Sequence, residues 1–162
     1  MFDEKIRDFN YFNYRRRVST VVQIGKTPLG GSYPIRLQSM TTTPTSETDE
    51  SVEQCRRLVR AGADYVRLTA QGTREAENLK NIRQALHEQG IYVPLVADIH
   101  FNPDVALIAA RIVEKVRINP GNFVDAARSF RHVEYIDEEY QAELKKIEER
   151  FVPFLHVCQE HH

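Results

Sequence analysis

The sequence predicts an α/β fold, the first half of a (β/α)8 TIM-type barrel with parallel strands. Short apolar segments of strand length alternate with segments whose apolar residues recur every three or four positions, in units of roughly 20 to 30 residues. The connections between them are short, which favours right-handed crossovers between parallel strands. Four such strands would leave an open last edge, and a complete barrel needs about 250 residues where this chain has 162. A small open α/β sheet is the structural alternative.

The individual elements are predicted from local patterns along the chain. Two apolar runs around a Pro-Gly-Gly-rich turn predict a hairpin that leads into a buried strand from Ile35 to Met40. Asn102 followed by Pro103 is typical of a helix start, because proline is favoured at the first helical position. The other strands are predicted at Tyr65 to Thr69, Val93 to Ile99 and Lys115 to Asn119, and the helices at Thr48 to Gly62, Thr73 to Gly90 and Pro103 to Val113.

The character of the chain changes after Phe123. Apolar residues from Ile136 to Phe151 lie at helical spacing in a highly charged segment, which predicts an amphipathic helix. Pro153 is expected to kink or restart it, and "PFLHVCQEHH" predicts one more helix. We therefore divide the chain into an N-terminal extension (1–17), four βα units (18–124) and a helical segment (125–162) that leads to a missing fifth strand.

Composition excludes several classes of protein. Lys and Arg together number 22 against 23 Asp and Glu, so the chain has no overall positive field to attract nucleic acid or an anionic membrane. No apolar stretch is long enough to span a bilayer, and the first residues lack the apolar core of a signal peptide. Cys55 and Cys158 form no C-x-x-C pair, which argues against a zinc site or a disulfide framework. These features predict a cytoplasmic protein.

Polar pairs mark the ends of three predicted strands, and residues two apart in a strand share one face. The pairs are Arg67 with Thr69, Asp98 with His100, and Arg117 with Asn119. If these pairs point into the barrel, two guanidinium groups flank one carboxylate and leave one positive charge over. Arginine can donate two parallel hydrogen bonds to a phosphate and stays charged when partly desolvated. The pattern predicts an anion site, with a buried structural ion cluster as the alternative.

Other motifs carry less information. Asp98 and His100 could form a metal pair, but no third ligand is evident. "QSM" lacks the G-x-S-x-G pattern of a nucleophile elbow, and "LGGS" lacks the Gly-Lys-Ser/Thr of a phosphate-binding loop. At the end of the fourth strand, Pro120 is expected to stop the strand and Gly121 to allow a tight turn.

Four segments together resemble one family. "PLGGSYPIRLQSMTTTPT", "AGADYVRLTAQG", "VPLVADIHFN" and "KVRINPGNF" occur in the order and spacing of the 4-hydroxy-3-methylbut-2-enyl diphosphate synthases, iron-sulfur enzymes of the non-mevalonate isoprenoid pathway. The likeness runs from about Arg16 to the end of the chain. The segment "FRHVEYIDEEYQAELKKIEERFVPFL" is similar to the longer form of plants and some bacteria.

The resemblance implies a reaction, a cofactor and an electron donor. The family reductively opens 2-C-methyl-D-erythritol 2,4-cyclodiphosphate with two electrons delivered through a 4Fe-4S cluster, usually from reduced flavodoxin or ferredoxin. Carried over by motif, Arg67 and Arg117 would contact phosphate oxygens, Asp98 and Asn119 would orient the substrate or the arginines, and His100 is a weaker candidate. A homodimer is expected for the full-length enzyme.

The chain departs from the family by its length. It lacks the fifth strand and the cluster-binding cysteines and glutamate, which are expected beyond residue 162, and no catalytic residue is assigned within it. The fragment alone is therefore expected to be inactive. Two further hypotheses remain open, a non-catalytic phosphate-binding or assembly fragment and a pterin-type barrel synthase.

Overall fold

The computed structural model describes residues 17–100, 102–119, 123 and 135–161. In these residues, strands and helices alternate after an initial hairpin. The strands are β1 (Val22–Ile24), β2 (Thr27–Leu29), β3 (Gln38–Met40), β4 (Tyr65–Ala70), β5 (Leu95–Ile99) and β6 (Lys115–Arg117). The helices are α1 (Thr48–Arg60), α2 (Thr73–Glu88), α3 (Pro103–Ala110) and α4 (Asp137–His161).

The main sheet contains four parallel strands in the sequential order β3-β4-β5-β6. Each strand pairs with the next one along the chain, and α1, α2 and α3 form the three crossovers. This arrangement confirms the predicted fold class. β1 and β2 form a separate antiparallel pair, which confirms the predicted hairpin.

The strands present one apolar face to the helices. Leu68 of β4 and Ala97 of β5 are neighbours across the sheet and are completely buried. Leu79 and Ile82 of α2 and Val105 of α3 pack in the same cluster. Because the strands are covered on this face and alternate in side-chain direction, the core contains every second strand residue.

The opposite face of the sheet, which we call the inner face, carries the alternate residues Met40, Arg67, Thr69, Asp98 and Arg117. Its amino-terminal end is apolar and lies under the hairpin. There Ile24 of β1 packs on Tyr65 and Val96, and the Tyr65 hydroxyl donates a 2.9 Å hydrogen bond to the Thr27 carbonyl. The hairpin therefore covers Tyr65 and Val96 at one end of the inner face, where Lys115 lies beside Val96, and the other polar side chains occupy the opposite end.

The prediction of a buried strand from Ile35 to Met40 was wrong in length and in burial. The strand begins only at Gln38, while the side chains of Ile35 and Leu37 are 84% and 60% exposed. The reason is that β3 is an edge strand of the described sheet, with β4 as its neighbour on one side. An apolar pattern predicts that the residues of a strand are buried, but they are buried only where other parts of the chain cover them.

Pro153 was expected to kink or restart the amphipathic helix and to be followed by one more helix, and the prediction of a separate second helix was wrong. α4 continues through this residue as one helix from Asp137 to His161. Phe151 and Phe154, on either side of the proline, both pack against Phe123, with ring centroids 5.8 and 5.6 Å apart. Contacts of both helix halves with the same ring offset the hydrogen bond that proline cannot donate.

The start of α3 confirms the predicted cap. The Asn102 side chain accepts hydrogen bonds from the Asp104 and Val105 amides, and Pro103 occupies the first turn. The helix ends at Ala110, three residues earlier than predicted. Among the helices of the described ranges, none combines the length and apolar character that crossing a bilayer would require. The predictions for Pro120 and Gly121 lie outside the described residues.

Candidate functional site

The candidate site lies at the carboxyl ends of β4, β5 and β6, where the register brings their polar residues together. Thr69 of β4 is the neighbour of Asp98, and Asp98 is the neighbour of Arg117 in β6. Arg67 stands two residues before Thr69 on the same face. In parallel α/β folds, ligands bind outside the carboxyl ends of the strands.

Asp98 is the centre of the cluster. Its side chain is only 5% exposed, and Oδ1 accepts a 3.0 Å hydrogen bond from Arg117 Nη1. Arg67 Nε lies 3.7 Å from Oδ2, and His100 Nε2 lies 3.4 Å from the same oxygen. The structure thus brings together Arg67, Asp98, His100 and Arg117, as their positions in the sequence predicted.

The two guanidinium groups remain accessible to a ligand. The side chains of Arg67 and Arg117 are 31% and 43% exposed, in contrast to the carboxylate that they flank. Two positive charges against one negative charge leave an excess of one. Asn119 follows β6 and is exposed, although it too has an interaction partner.

Lys115 adds a further charge that the sequence analysis missed. It is the neighbour of Val96 across the β5–β6 ladder and therefore belongs to the inner face, two residues before Arg117. Within the described residues it forms no salt bridge. Its place on the face of Arg117 follows from the two-residue spacing within β6, so the sequence did contain this signal.

Met40 is a second residue of the site that sequence reasoning missed. Its backbone is the neighbour of Arg67 across the β3–β4 ladder, so the two side chains share the inner face. Arg67 Nε and Nη2 donate to the Met40 sulfur at 3.4 and 3.2 Å. A methionine at a strand end resembles any other apolar residue in sequence, and only the register between β3 and β4 identifies this contact.

The loop after β3 is fixed by hydrogen bonds to the helices. Gln54 Oε1 accepts from the amides of Thr42 and Thr43, both at 3.0 Å. Its Nε2 donates to the Thr42 hydroxyl at 3.1 Å. Asn78 of α2 donates to the Thr45 carbonyl at 2.8 Å. These contacts hold one wall of the strand-end region without charged groups.

The described residues do not fit an iron-sulfur cluster. They contain no group of three or more His, Cys, Asp or Glu side chains placed to hold a metal ion. Burial raises the pKa of the Cys55 thiol to about 12, which opposes the thiolate form that a metal needs. Burial also raises the pKa of Cys158.

Two cavities in the described part of the chain lie away from the strand ends. Their volumes are about 520 and 320 Å3, and both are bordered by Arg83, Arg111 and Ile112, beside the ends of α2 and α3. Neither is lined by a residue of the Asp98 cluster. The convergent charges are therefore found on an open inner face and not in an enclosed cavity.

Comparison with known proteins gives relatives that share one name. The chain is 62% identical over 151 residues to the 4-hydroxy-3-methylbut-2-en-1-yl diphosphate synthase (flavodoxin) of Bacteroides thetaiotaomicron, which covers 93% of this chain and 25% of the relative. The proteins of that name from Akkermansia muciniphila and Chlorobaculum tepidum are 50% and 51% identical. These matches cover 93% and 89% of this chain, and 26% and 19% of the two relatives.

The chain thus spans about a quarter or less of the length of these relatives. Residues 19–161 match the family model described as the GcpE TIM-barrel domain. That range includes every strand and helix of the structure. The chain therefore belongs to the GcpE family, and the part that matches is the family's TIM-barrel domain.

Proposed function

We propose that this chain is the substrate-binding half-barrel of an enzyme that reductively converts 2-C-methyl-D-erythritol 2,4-cyclodiphosphate to 4-hydroxy-3-methylbut-2-enyl diphosphate. The observation that carries the proposal is the pair of accessible arginines on either side of the buried Asp98. The relatives bear the name 4-hydroxy-3-methylbut-2-en-1-yl diphosphate synthase (flavodoxin). Family membership favours this reaction over that of a pterin-type barrel synthase.

The charges of the site match those of the proposed substrate. A cyclic diphosphate carries at least two negative charges, and the inner face offers an excess of one from the Asp98 cluster and another from Lys115. Guanidinium groups bind phosphate oxygens through parallel hydrogen bonds and tolerate partial desolvation. An anion at this position would compensate charges that the protein leaves uncompensated.

Each residue has a distinct role in this proposal. Arg67 and Arg117 bind the phosphoryl groups, while Asp98 aligns the two guanidinium groups through its separate oxygens. Asn119 orients the hydroxyl-bearing part of the substrate, since an amide can donate and accept. His100, beside Asp98 Oδ2, supports the carboxylate.

The redox chemistry belongs to other parts of the parent enzyme in this proposal. A 4Fe-4S cluster would supply the two electrons, and its ligands would lie outside the residues of this chain. Reduced flavodoxin or ferredoxin would be the donor, and the parent would act as a cytoplasmic homodimer. The contribution of this chain is to bind and orient the diphosphate.

Calorimetric titration of the chain with the cyclodiphosphate tests the binding role. We expect Arg117→Ala to weaken binding by about tenfold or more, since it removes a charge-assisted contact. Arg111→Ala is the matched control, because Arg111 caps α3 away from the cluster. Equal binding by wild type and Arg117→Ala would contradict the proposal.

The parent enzyme tests the catalytic role. We expect the full-length protein to bind the cluster and to convert the cyclodiphosphate with dithionite as reductant, and Arg117→Ala in that protein to be severely impaired. Normal turnover by the full-length Arg117→Ala variant would remove Arg117 from the site. A full-length protein that binds no cluster would favour a non-catalytic phosphate-binding or assembly role.

A further inference from the structure

The contact between Met40 and Arg67 differs from the other contacts of the Asp98 cluster. Nε and Nη2 form one edge of the guanidinium group, and both donate to the same sulfur, at 3.4 and 3.2 Å. Two parallel donors on one edge are the arrangement with which arginine binds a carboxylate or phosphate. In this structure the edge is directed at a neutral thioether, which is only a weak acceptor.

The charge of Asp98 does not fully compensate Arg67. The carboxylate makes its direct hydrogen bond to Arg117, at 3.0 Å, whereas the distance from its Oδ2 to Arg67 Nε is 3.7 Å. Oδ2 also lies 3.4 Å from His100 Nε2. Arg67 is thus a cation whose best donor edge is occupied by a weak acceptor and whose nearest anion is shared.

We propose that Met40 is a place-holder for the phosphoryl group. In the free protein its sulfur occupies the Nε–Nη2 edge of Arg67, and on binding the phosphoryl oxygens replace it. The inference rests on the proposed function and adds Met40 as a positioning residue that sets the affinity of Arg67 for the anion. A weak acceptor suits this role, because it holds the guanidinium group in place and is displaced at little cost.

Place-holding and mere support predict opposite effects of the same substitution. Met40→Leu keeps the apolar volume but removes the acceptor. If the sulfur competes with phosphate, this variant binds inorganic pyrophosphate more tightly, by about two- to threefold for a weak hydrogen bond. If the sulfur only supports Arg67, the variant binds more weakly.

A stronger acceptor at the same position should have the opposite effect. Met40→Gln offers a carbonyl oxygen, and hydrogen peroxide transfers one oxygen atom to the sulfur, which forms the sulfoxide and water. Both oxygens compete better for Arg67, and we expect pyrophosphate binding about tenfold weaker than in wild type. The oxidation is carried out on the folded wild-type chain, so its result does not depend on whether the Met40→Gln variant folds.

The sequence makes the oxidation experiment interpretable. It contains two methionines, Met1 and Met40. Peroxide-treated Met40→Leu therefore controls for oxidation at Met1, Cys55 and Cys158. Mass spectrometry of peptides reports the extent of oxidation at Met40, and the 15N resonance of Arg67 Nε reports which acceptor occupies the edge.

The expected order of affinity for pyrophosphate is Met40→Leu, then wild type, then Met40→Gln and the sulfoxide. Weaker binding by Met40→Leu, or equal affinities across the series, would overturn the inference. Arg67→Ala separates this from the proposed function. If wild type binds and Arg67→Ala does not, a flat series refutes the place-holder alone, whereas no binding by wild type refutes the anion site and the place-holder together.

Discussion

Asp98→Asn tests how much the buried carboxylate contributes to the stability of the chain. The variant keeps the shape of the side chain and removes its charge at a position that is 5% exposed. It weakens a 3.0 Å charge-assisted bond to Arg117, worth about 1.5 to 3 kcal/mol, and leaves two guanidinium charges without a counter-charge. Solvent screens both partners, since Arg67 and Arg117 are 31% and 43% exposed. We therefore expect the free energy of unfolding to fall by about 2 kcal/mol, the middle of the range for such a bond.

Urea unfolding at pH 7, followed by circular dichroism, measures this loss. With a slope of about 2 kcal/mol per molar urea, the midpoint should fall by about 1 M. Pyrophosphate should restore part of the stability, because an anion bound to the native state replaces the missing charge. Glu53→Gln is the control, since it also removes an acid paired with an arginine, but on the exposed surface of α1, and should cost at most about 0.5 kcal/mol. An Asp98→Asn protein as stable as the control would refute the view that the buried carboxylate holds the site together.

Three other expectations concern the surroundings of the site. Asn102→Ala should lower the free energy of unfolding by about 1 kcal/mol, because the cap of α3 is lost. Asn102→Asp should retain most of the wild-type stability, and urea unfolding measures both variants. Gln54→Ala should speed hydrogen exchange at the Thr42 amide, because that amide loses its acceptor. Gln54→Glu keeps an acceptor and should leave the exchange rate unchanged. At pH 8, iodoacetamide should label Cys158 faster than Cys55, whose pKa of about 12 leaves little thiolate, and equal rates would contradict the burial of Cys55.

Cys55 also predicts that the stability of the folded chain falls at alkaline pH. Its pKa in the folded chain is raised from 9.0 to about 12, so the folded state holds the thiol proton more tightly than the unfolded state. The neutral thiol contributes fully to the free energy of unfolding below about pH 9, and this contribution is lost as the pH rises towards 12. Cys55→Ala should weaken the decline of stability across that window.

The sequence predicted the parallel sheet and its polar strand ends because both depend on local periodicity. The spacing of Arg67, Asp98 and Arg117 relative to their strand ends was enough to place them on one face, and the register then brought them into contact. Met40 could not be found in this way. The proximity of Met40 to Arg67 depends on which residues are neighbours across the β3–β4 ladder, and periodicity within one strand does not fix that register. Lys115 shares the face of Arg117 by the two-residue spacing of β6, so the sequence did contain that signal.

The errors have a common physical origin in tertiary contacts. Ile35 and Leu37 have the apolar character of a buried strand, but they precede an edge strand and remain exposed. Pro153 was expected to kink or restart the helix, but α4 continues through it with aromatic packing on both sides of the proline. In both cases the local preference was identified correctly, and its outcome was decided by neighbours that are distant in sequence.

The separation of the two faces of the sheet has a consequence for how such a protein can diversify. Side chains that fill the core, such as Leu68 and Ala97, alternate with those of the inner face, such as Arg67 and Asp98. A substitution on the inner face therefore does not require the core to repack. The scaffold can change its charge and ligand preference at exposed residues of the inner face, such as Arg117, while the helix-facing core stays the same, whereas a change at Asp98 alters binding and stability together.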